Sequence, residues 1–345
     1  MDGKLADASP VPSAVEPEKT ETVKTTEPTT APPVVAPSRA SWRTSSRKWL
    51  FAIVPAVAVV ELVLHLVQVS SVVPDADWTA ARDATKSLAK ADDLVIFAPK
   101  WADPLGRQFF GSDVATLDRE AFADVSRFER AVEVSIRGQH APELAGWRSK
   151  ETKSIGRITL TTFENPSYQK TIDDLLLHVN PAQMQVTRVN GDTEQTCPFT
   201  GGPVGTGNLG FGPAIPGDKF NCGNSPVGIS VVSDLGYTPH KCLYAPPSGG
   251  GATRIKFENV TFGDVLHGHH GLYVEAERGR EGAPITLSFS VGERRLGKMT
   301  HVDGDGWKGF ELPTPELKGQ KGELVAEVAS PNGNRRTYCF EAITR

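Results

Sequence analysis

Cysteine is scarce in this chain of 345 residues, and the common catalytic motifs are missing. Its four cysteines all lie after residue 196, and no two form a CxxC pair. There is no HExxH helix pair and no GxSxG elbow, so the sequence gives no sign of a zincin or a serine hydrolase. A net charge of -4 provides no basic excess for nucleic acid, which we exclude as a main partner.

Aromatic residues are absent from the first 40 positions, which are rich in Pro, Thr and Glu. Such a segment buries too little apolar surface to offset the entropy of ordering. We predict a disordered cytoplasmic tail over residues 1–48.

Charge is nearly absent from residues 49–73, where Glu61 is the one formal charge. This length suffices to cross a bilayer as a transmembrane helix. The cations before it (Arg39, Arg43, Arg47 and Lys48) place the N-terminus in the cytoplasm and the rest in the periplasm or outside the cell, with the helix in the plasma (inner) membrane. A signal peptide cleaved near Ala56–Ala58 is the alternative.

Three polar residues interrupt this apolar segment. Glu61, His65 and Gln68 are spaced i, i+4, i+7, so they share one face of a helix. Polar groups in lipid are costly and usually face protein. We predict that this face binds a membrane protein or a second copy of the chain. Snorkelling of His65 and Gln68 to the outer interface is the alternative.

The four cysteines (Cys197, Cys222, Cys242 and Cys339) all follow the apolar segment. An even number in an exported region predicts two disulfides. Three pairings are open, and a zinc site is the alternative.

Residues 74–168 alternate helical and strand patterns, which predicts a small α/β domain with a parallel or mixed sheet. The stretch DWTAARDATKSLAKADDLVIFAP resembles the exported segment after the last membrane helix of lipid-linked-sugar glycosyltransferases. The resemblance covers residues 75–165. Because the multi-helix catalytic core of those enzymes is missing here, it implies an accessory domain.

Two loops of this domain follow predicted strands, and ligands bind beyond the carboxyl ends of strands in open α/β sheets. Their cations, aromatic ring and carboxylate suit a sugar or a phosphorylated ligand. The alternative is that Asp103 and Arg107 only pair with each other, over a packed Trp101. The candidate binding residues in these loops are Lys100, Trp101, Asp103, Arg107, Arg137 and His140.

Residues 169–345 have frequent Gly and Pro and short alternating runs, which predicts a disulfide-bonded antiparallel β-sandwich of jelly-roll type. The strand pattern of residues 252–345 resembles galactose-binding-like sandwiches of carbohydrate-active proteins. Tyr273 and Trp307 are candidate surfaces for stacking a sugar ring. The whole chain is therefore a membrane-anchored α+β protein.

Metal and cofactor sites have little support, and we expect no cofactor. His267 and His269 would share a face of an extended strand and could bind Zn²⁺, while Asp303 and Asp305 could bind Ca²⁺. The alternatives are that the histidines only form hydrogen bonds at the entrance to a strand, and that the two aspartates only form a tight turn. Gly205–Gly210 matches GxGxxG without the strand and helix of a dinucleotide site, so we assign it to a loop closed by a disulfide.

The function we expect is that of a single-pass envelope protein whose non-catalytic ectodomain binds a glycan or lipid-linked sugar, or assists a membrane glycosyltransferase. An exported carbohydrate-active enzyme and a purely structural protein are the alternatives.

Overall fold

The computed structural model describes residues 43–111, 114, 121–202, 215, 217–223 and 225–345, with side chains from Phe51 onward. The chain divides into two compact units, residues 1–70 and 71–345. The predicted tail up to residue 42 and the GxGxxG match lie outside the described residues. The stretch DVATLDREAFADV predicts a helix over residues 113–125, and most of it lies outside them too.

The described part of the first unit is one helix, α1 (Arg43–Ser70). It is long and apolar enough to cross a membrane, and its side chains from Phe51 to Ser70 are exposed. Pro74 follows shortly after and disfavours helical backbone at the residue before it. Glu61, His65 and Gln68 lie on α1 at the predicted spacing.

The second unit begins with a four-stranded mixed sheet, as the alternating pattern predicted. The strands run in the order β1-β2-β4-β3, with β1 and β2 parallel and the other pairs antiparallel. The elements of this part are α2 (Asp75–Leu88), β1 (Leu94–Ala98), α3 (Asp103–Phe110), β2 (Arg130–Ile136), β3 (Arg148–Ile155) and β4 (Ile158–Glu164).

The two faces of this sheet differ. One face packs against α2 and α3 around Trp78, Phe97 and Phe110, each of which is buried. Burying a large apolar side chain contributes about 1.5–3 kcal/mol, so this face holds the helices in place. The opposite face has a small apolar cluster around Phe128 and Phe163.

An antiparallel β-sandwich follows, confirming the predicted fold class. Its first sheet has the order β17-β14-β19-β11-β10-β9-β8, with β5 beside β19, and its second has the order β16-β15-β18-β13-β6-β7, with β12 beside β18. The ladders are antiparallel, except that β12 pairs with β18 in parallel.

The strands of the first sheet are β5 (Asp173–Asp174), β8 (Phe199–Thr200), β9 (Lys219–Phe220), β10 (Val227–Ser233), β11 (Pro239–Tyr244), β14 (Val265–Leu272), β17 (Lys308–Pro313) and β19 (Tyr338–Thr344). Those of the second are β6 (Met184–Asn190), β7 (Thr193–Thr196), β12 (Ser248–Gly249), β13 (Ala252–Thr261), β15 (Ile285–Val291), β16 (Arg294–His301) and β18 (Lys321–Ser330). Phe257, Phe289 and Phe340 are buried in the core of the sandwich.

Two disulfides join the four cysteines, which confirms the predicted number and resolves the pairing. Cys197 bonds Cys222, and Cys242 bonds Cys339. The second bond closes a sequence separation of 97 residues and links the adjacent strands β11 and β19. In the chain-entropy model a loop of this length adds about 4–5 kcal/mol of stability.

The sequence pattern predicts one strand over GLYVEAER, a hairpin turn at SPNGNRR and a cap for α2 from Asp75 or Asp77. All three local predictions were wrong. The stretch GLYVEAER is not one strand, because a short helix, α4 (Val274–Gly279), follows β14 and buries Val274 and Glu277, three residues apart, on one side. The stretch SPNGNRR is not a hairpin, since β18 and β19 belong to different sheets. Neither Asp75 nor Asp77 caps α2; Asp77 instead accepts a hydrogen bond from the Arg157 backbone N–H at 2.9 Å.

A buried ion pair ties the start of the sandwich to β13. His178 Nε2 lies 2.8 Å from Asp173 Oδ1, and its Nδ1 lies 3.1 Å from the Glu258 carbonyl oxygen. Both partners are acceptors, so both ring nitrogens carry a proton. The hydrogen bond to Asp173 raises the pKa of His178 above its ordinary value, against the opposing effect of burial.

The pair of His178 and Asp173 predicts that the folded protein loses stability in mild alkali. A raised folded-state pKa stabilises the fold fully below the unfolded value of about 6.5, and this contribution is lost as the pH rises through the folded pKa. We expect the unfolding free energy of the full chain in detergent, measured by denaturant titration, to fall between pH 6 and pH 9. Asp173→Asn should cost about 1.5–3 kcal/mol at pH 6 and flatten this slope. An unchanged slope in Asp173→Asn would contradict the assignment.

Candidate binding site

Two loops leave the same edge of the four-stranded sheet, because β1 and β2 are parallel and in register, with Ala98 opposite Ser135. The first loop continues through a 3-10 turn (Lys100–Ala102) into α3, and the second reaches a 3-10 turn (Pro142–Leu144). Lys100 Nζ lies 3.9 Å from Glu143 Oε1. The two predicted loops are therefore in contact.

The β10–β11 hairpin of the sandwich packs against these loops. Lys100 Nζ lies 3.5 Å from Thr238 Oγ1 in the hairpin. Between the hairpin and the loops is a cavity of about 350 Å³, here called the edge cavity, within the size range of small-molecule sites. Its polar lining residues are Lys100, Asp103, Glu143, Thr238 and His240, and its apolar ones include Leu94, Ile96, Phe122, Pro142 and Pro239.

Asp103 lines this cavity and has one unpaired carboxylate oxygen. Its Oδ2 accepts a hydrogen bond from Arg107 Nε at 2.8 Å, one helical turn along α3. Its Oδ1 is buried and has no hydrogen-bond partner among the described residues. A buried acceptor without a donor costs free energy, so this atom is suited to a ligand that donates.

His240 lines the cavity from the opposite side and also has an unpaired atom. Its Nε2 lies 3.0 Å from Asp234 Oδ2. Although burial opposes ionisation of Asp234, hydrogen bonds from His240, Thr238 and Gly236 lower the pKa of its carboxyl. Nε2 therefore carries the proton that it donates to this carboxylate.

The remaining nitrogen of His240 is an acceptor. Burial lowers the pKa of His240 below its ordinary value, against the opposing effect of Asp234, so the ring is neutral at pH 7. In that state Nδ1 has a lone pair, and it has no hydrogen-bond partner in the part of the chain that the structure describes. The ring stacks on Trp307 with centroids 4.3 Å apart, which fixes its plane.

The residues that line the edge cavity thus include two with an unpaired acceptor, one from the loops and one from the hairpin, together with an ammonium group, a hydroxyl group and apolar side chains. Acceptors from both sides call for a ligand with several hydrogen-bond donors. Hydroxyl groups spaced around a partly apolar ring satisfy that requirement.

The other candidate binding residues lie elsewhere. Trp101 is 61% exposed, with the Arg137 guanidinium 5.5 Å from its ring, and neither residue lines the edge cavity. His140 contacts Glu133 at 2.8 Å and lines a separate groove. Tyr273 and Trp307 pack against the buried Cys242–Cys339 disulfide.

The four candidate metal ligands do not form one cluster. His267 and His269 do share a face of β14, but His267 lies between Asp124 and Glu311, and His269 contacts Glu341 at 2.7 Å. Asp303 pairs with Arg336 and Asp305 with Lys308. Within the described ranges, no group of three or more His, Cys, Asp or Glu residues is arranged to hold a metal ion.

Sequence reasoning missed part of the cavity. The sequence pattern selects neither His240 nor Thr238 as a binding residue. The sequence signal for these two residues is weak. A turn such as Asp234–Thr238 before a strand is common, and no local pattern shows that this hairpin packs against the loops after β1 and β2.

Comparison with known proteins does not assign this chain to a family. No family model and no curated protein matches the chain. Among solved structures, the chain is similar to the CBM51-2 and INT domains of Clostridium perfringens ZmpB (8% identity, 58% of this chain, 41% of that chain, TM-score 0.27). It is also similar to the cleaved adhesin domain K2 of Lys-gingipain (12% identity, 48% of this chain, 91% of that chain, TM-score 0.26). A third similar structure is a family 29 carbohydrate-binding module (12% identity, 47% of this chain, 86% of that chain, TM-score 0.20). The chain spans less than half of the first of these, and all three likenesses are too distant to carry an argument.

Proposed function

We propose that the unit 71–345 is a glycan-binding ectodomain and that the edge cavity holds one sugar. The observation that carries this proposal is the pair of unpaired acceptors, Asp103 Oδ1 and His240 Nδ1, on two residues that line the cavity from the loops and from the hairpin. A pyranose or furanose ring donates hydrogen bonds from hydroxyl groups at its rim and packs its faces on apolar side chains.

The charges favour a neutral sugar over a phosphorylated one. Two carboxylates, Asp103 and Glu143, line the cavity against the single ammonium of Lys100. Arg107 does not add to the free positive charge, since its guanidinium binds Asp103. A phosphate group would meet unfavourable charge here.

The arrangement also favours binding over hydrolysis. A glycosidase needs one carboxyl group that donates a proton and a second that acts as base or nucleophile. Asp103 and Glu143 each lie beside a cation, at 2.8 Å and 3.9 Å. Carboxylates paired in this way can accept hydrogen bonds from sugar hydroxyl groups, which supports a non-catalytic role.

Titration of the full chain in detergent with D-glucose, D-galactose, D-mannose and L-arabinose, followed by calorimetry, tests the proposal. We expect at least one of these sugars to bind, and glucose 1-phosphate to bind no tighter than glucose. His240→Phe keeps the aromatic ring but removes the acceptor, and should weaken binding about 5- to 10-fold, the equivalent of one hydrogen bond.

Lys100→Met should weaken binding similarly. Lys318→Met is the matched control, because the Lys100 and Lys318 side chains are each 60% exposed and each is paired with a carboxylate. Absence of binding by all four sugars, or an equal effect of the two lysine variants, would contradict the cavity assignment.

We further propose that α1 anchors this ectodomain in the plasma membrane, with the N-terminus in the cytoplasm. The cations at Arg39, Arg43, Arg47 and Lys48 support this orientation, and the two disulfides support an oxidising compartment for the second unit. The polar residues of α1 then lie within lipid, where a protein partner would lower their cost. The resemblance of residues 75–165 suggests a membrane glycosyltransferase as that partner.

Purification of the full chain in mild detergent, with mass spectrometry of co-purifying proteins, tests the partner. We expect a multi-spanning membrane protein to co-purify and to be lost from the double variant Glu61→Leu, His65→Leu, because the polar contact is removed. Leu62→Ala and Leu66→Ala on a different face form the control. Recovery of the same proteins with the double variant would refute the role of the polar face.

A further inference from the structure

A second, larger groove lies on the face of the four-stranded sheet opposite α2 and α3. We call it the sheet-face groove, and its volume is about 660 Å³. The strands β2, β3 and β4 form its floor. Its polar lining residues are Glu133, Ser135, His140, Ser149, Thr152, Thr159 and Thr161, and its apolar ones are Ala141, Pro142, Leu144, Ala145 and Phe163.

A buried carboxylate lies at the floor of this groove. Glu133 is 0% exposed, which is rare for a glutamate. Its Oε1 accepts a hydrogen bond from the Ala141 N–H at 2.6 Å, and its Oε2 lies 2.8 Å from Nδ1 of His140, whose side chain is 69% exposed. These two contacts hold the carboxyl group beneath the groove and orient the exposed His140 ring above it.

Hydroxyl groups occupy the strand positions around this carboxylate. Ser135 Oγ donates to the Thr159 carbonyl oxygen at 3.2 Å, and Thr152 Oγ1 lies 3.4 Å from Thr161 Oγ1. A sheet face that only had to pack in a core would place apolar residues here, as the opposite face does. Rotating hydroxyl groups can both donate and accept, so the groove matches a ligand that does the same.

The groove adjoins the edge cavity. Pro142 lines both, and the next residue, Glu143, lines the edge cavity beside Lys100. The two sites therefore share Pro142 as a lining residue. Both lie within the unit 71–345.

We infer that the sheet-face groove is a second subsite of the same glycan site, so that the ectodomain recognises an oligosaccharide of neutral sugars running from the edge cavity across Pro142 onto the open sheet. The inference rests on the proposed function. In the groove the sugar hydroxyls bind His140, which Glu133 holds in place, and the threonines, and the apolar face of the ring packs on Phe163 and Leu144.

Chain-length dependence of binding tests this inference. The probes are the mono-, di- and tetrasaccharides of glucose, galactose, mannose and arabinose, titrated into the full chain in detergent by calorimetry. We expect affinity to rise at least 10-fold from the monosaccharide to the di- or tetrasaccharide of the sugar that binds. The double variant Thr159→Val, Thr161→Val keeps β-branched side chains in β4 and removes two hydroxyls, and it should abolish this rise while leaving monosaccharide affinity unchanged.

Thr300→Val, at an exposed position of β16 in the sandwich, is the control and should retain the full rise. Equal affinity for monosaccharide and oligosaccharides, or a rise that survives the double variant, would overturn the second subsite and leave the edge cavity intact. Failure of every monosaccharide and oligosaccharide to bind would overturn the proposed function together with this inference.

Discussion

Parallel pairing of β1 with β2 is the constraint on which the binding site depends. It places the loops after Ala98 and Ile136 at one edge of the sheet, so that Lys100 meets Glu143 and the groove and the cavity share Pro142. An antiparallel pair would send the two loops to opposite edges. The buried side chains of α2 and α3 pack on the other face of this sheet.

The sandwich contributes His240 to the site and holds its ring in place through a series of contacts. Asp234 fixes the tautomer of His240, Trp307 fixes the plane of its ring, and the Cys242–Cys339 disulfide lies in the same buried cluster as Trp307. The Lys241 backbone N–H also donates to the Ala121 carbonyl oxygen at 2.6 Å, which joins β11 to the segment before β2. The acceptor at His240 Nδ1 is thus positioned by contacts far apart in sequence, in the way that supporting hydrogen bonds orient functional histidines.

Sequence reasoning predicted what depends on local pattern. The apolar run of β1, the helix α2, the later strands of the sandwich (β15 to β19) and the number of disulfides follow from periodicity and cysteine placement. It failed where tertiary contacts matter: α4 buries Glu277 against His301, and the segment after β18 crosses between the two sheets. Lys100 and Asp103 could be selected as loop residues at a sheet edge. Their meeting with His240, about 140 positions later, has no local signature.

The central claim is that His240 presents an unprotonated Nδ1 to a sugar hydroxyl. Nitrogen NMR of the full chain in detergent, with ¹⁵N-labelled histidine, measures this state directly at pH 7. The account predicts the neutral Nε2–H tautomer for His240, and a change in its Nδ1 resonance alone among the eight histidines when a binding sugar is added. An Nδ1–H tautomer, a doubly protonated ring, or an Nδ1 resonance unaffected by saturating sugar would contradict it.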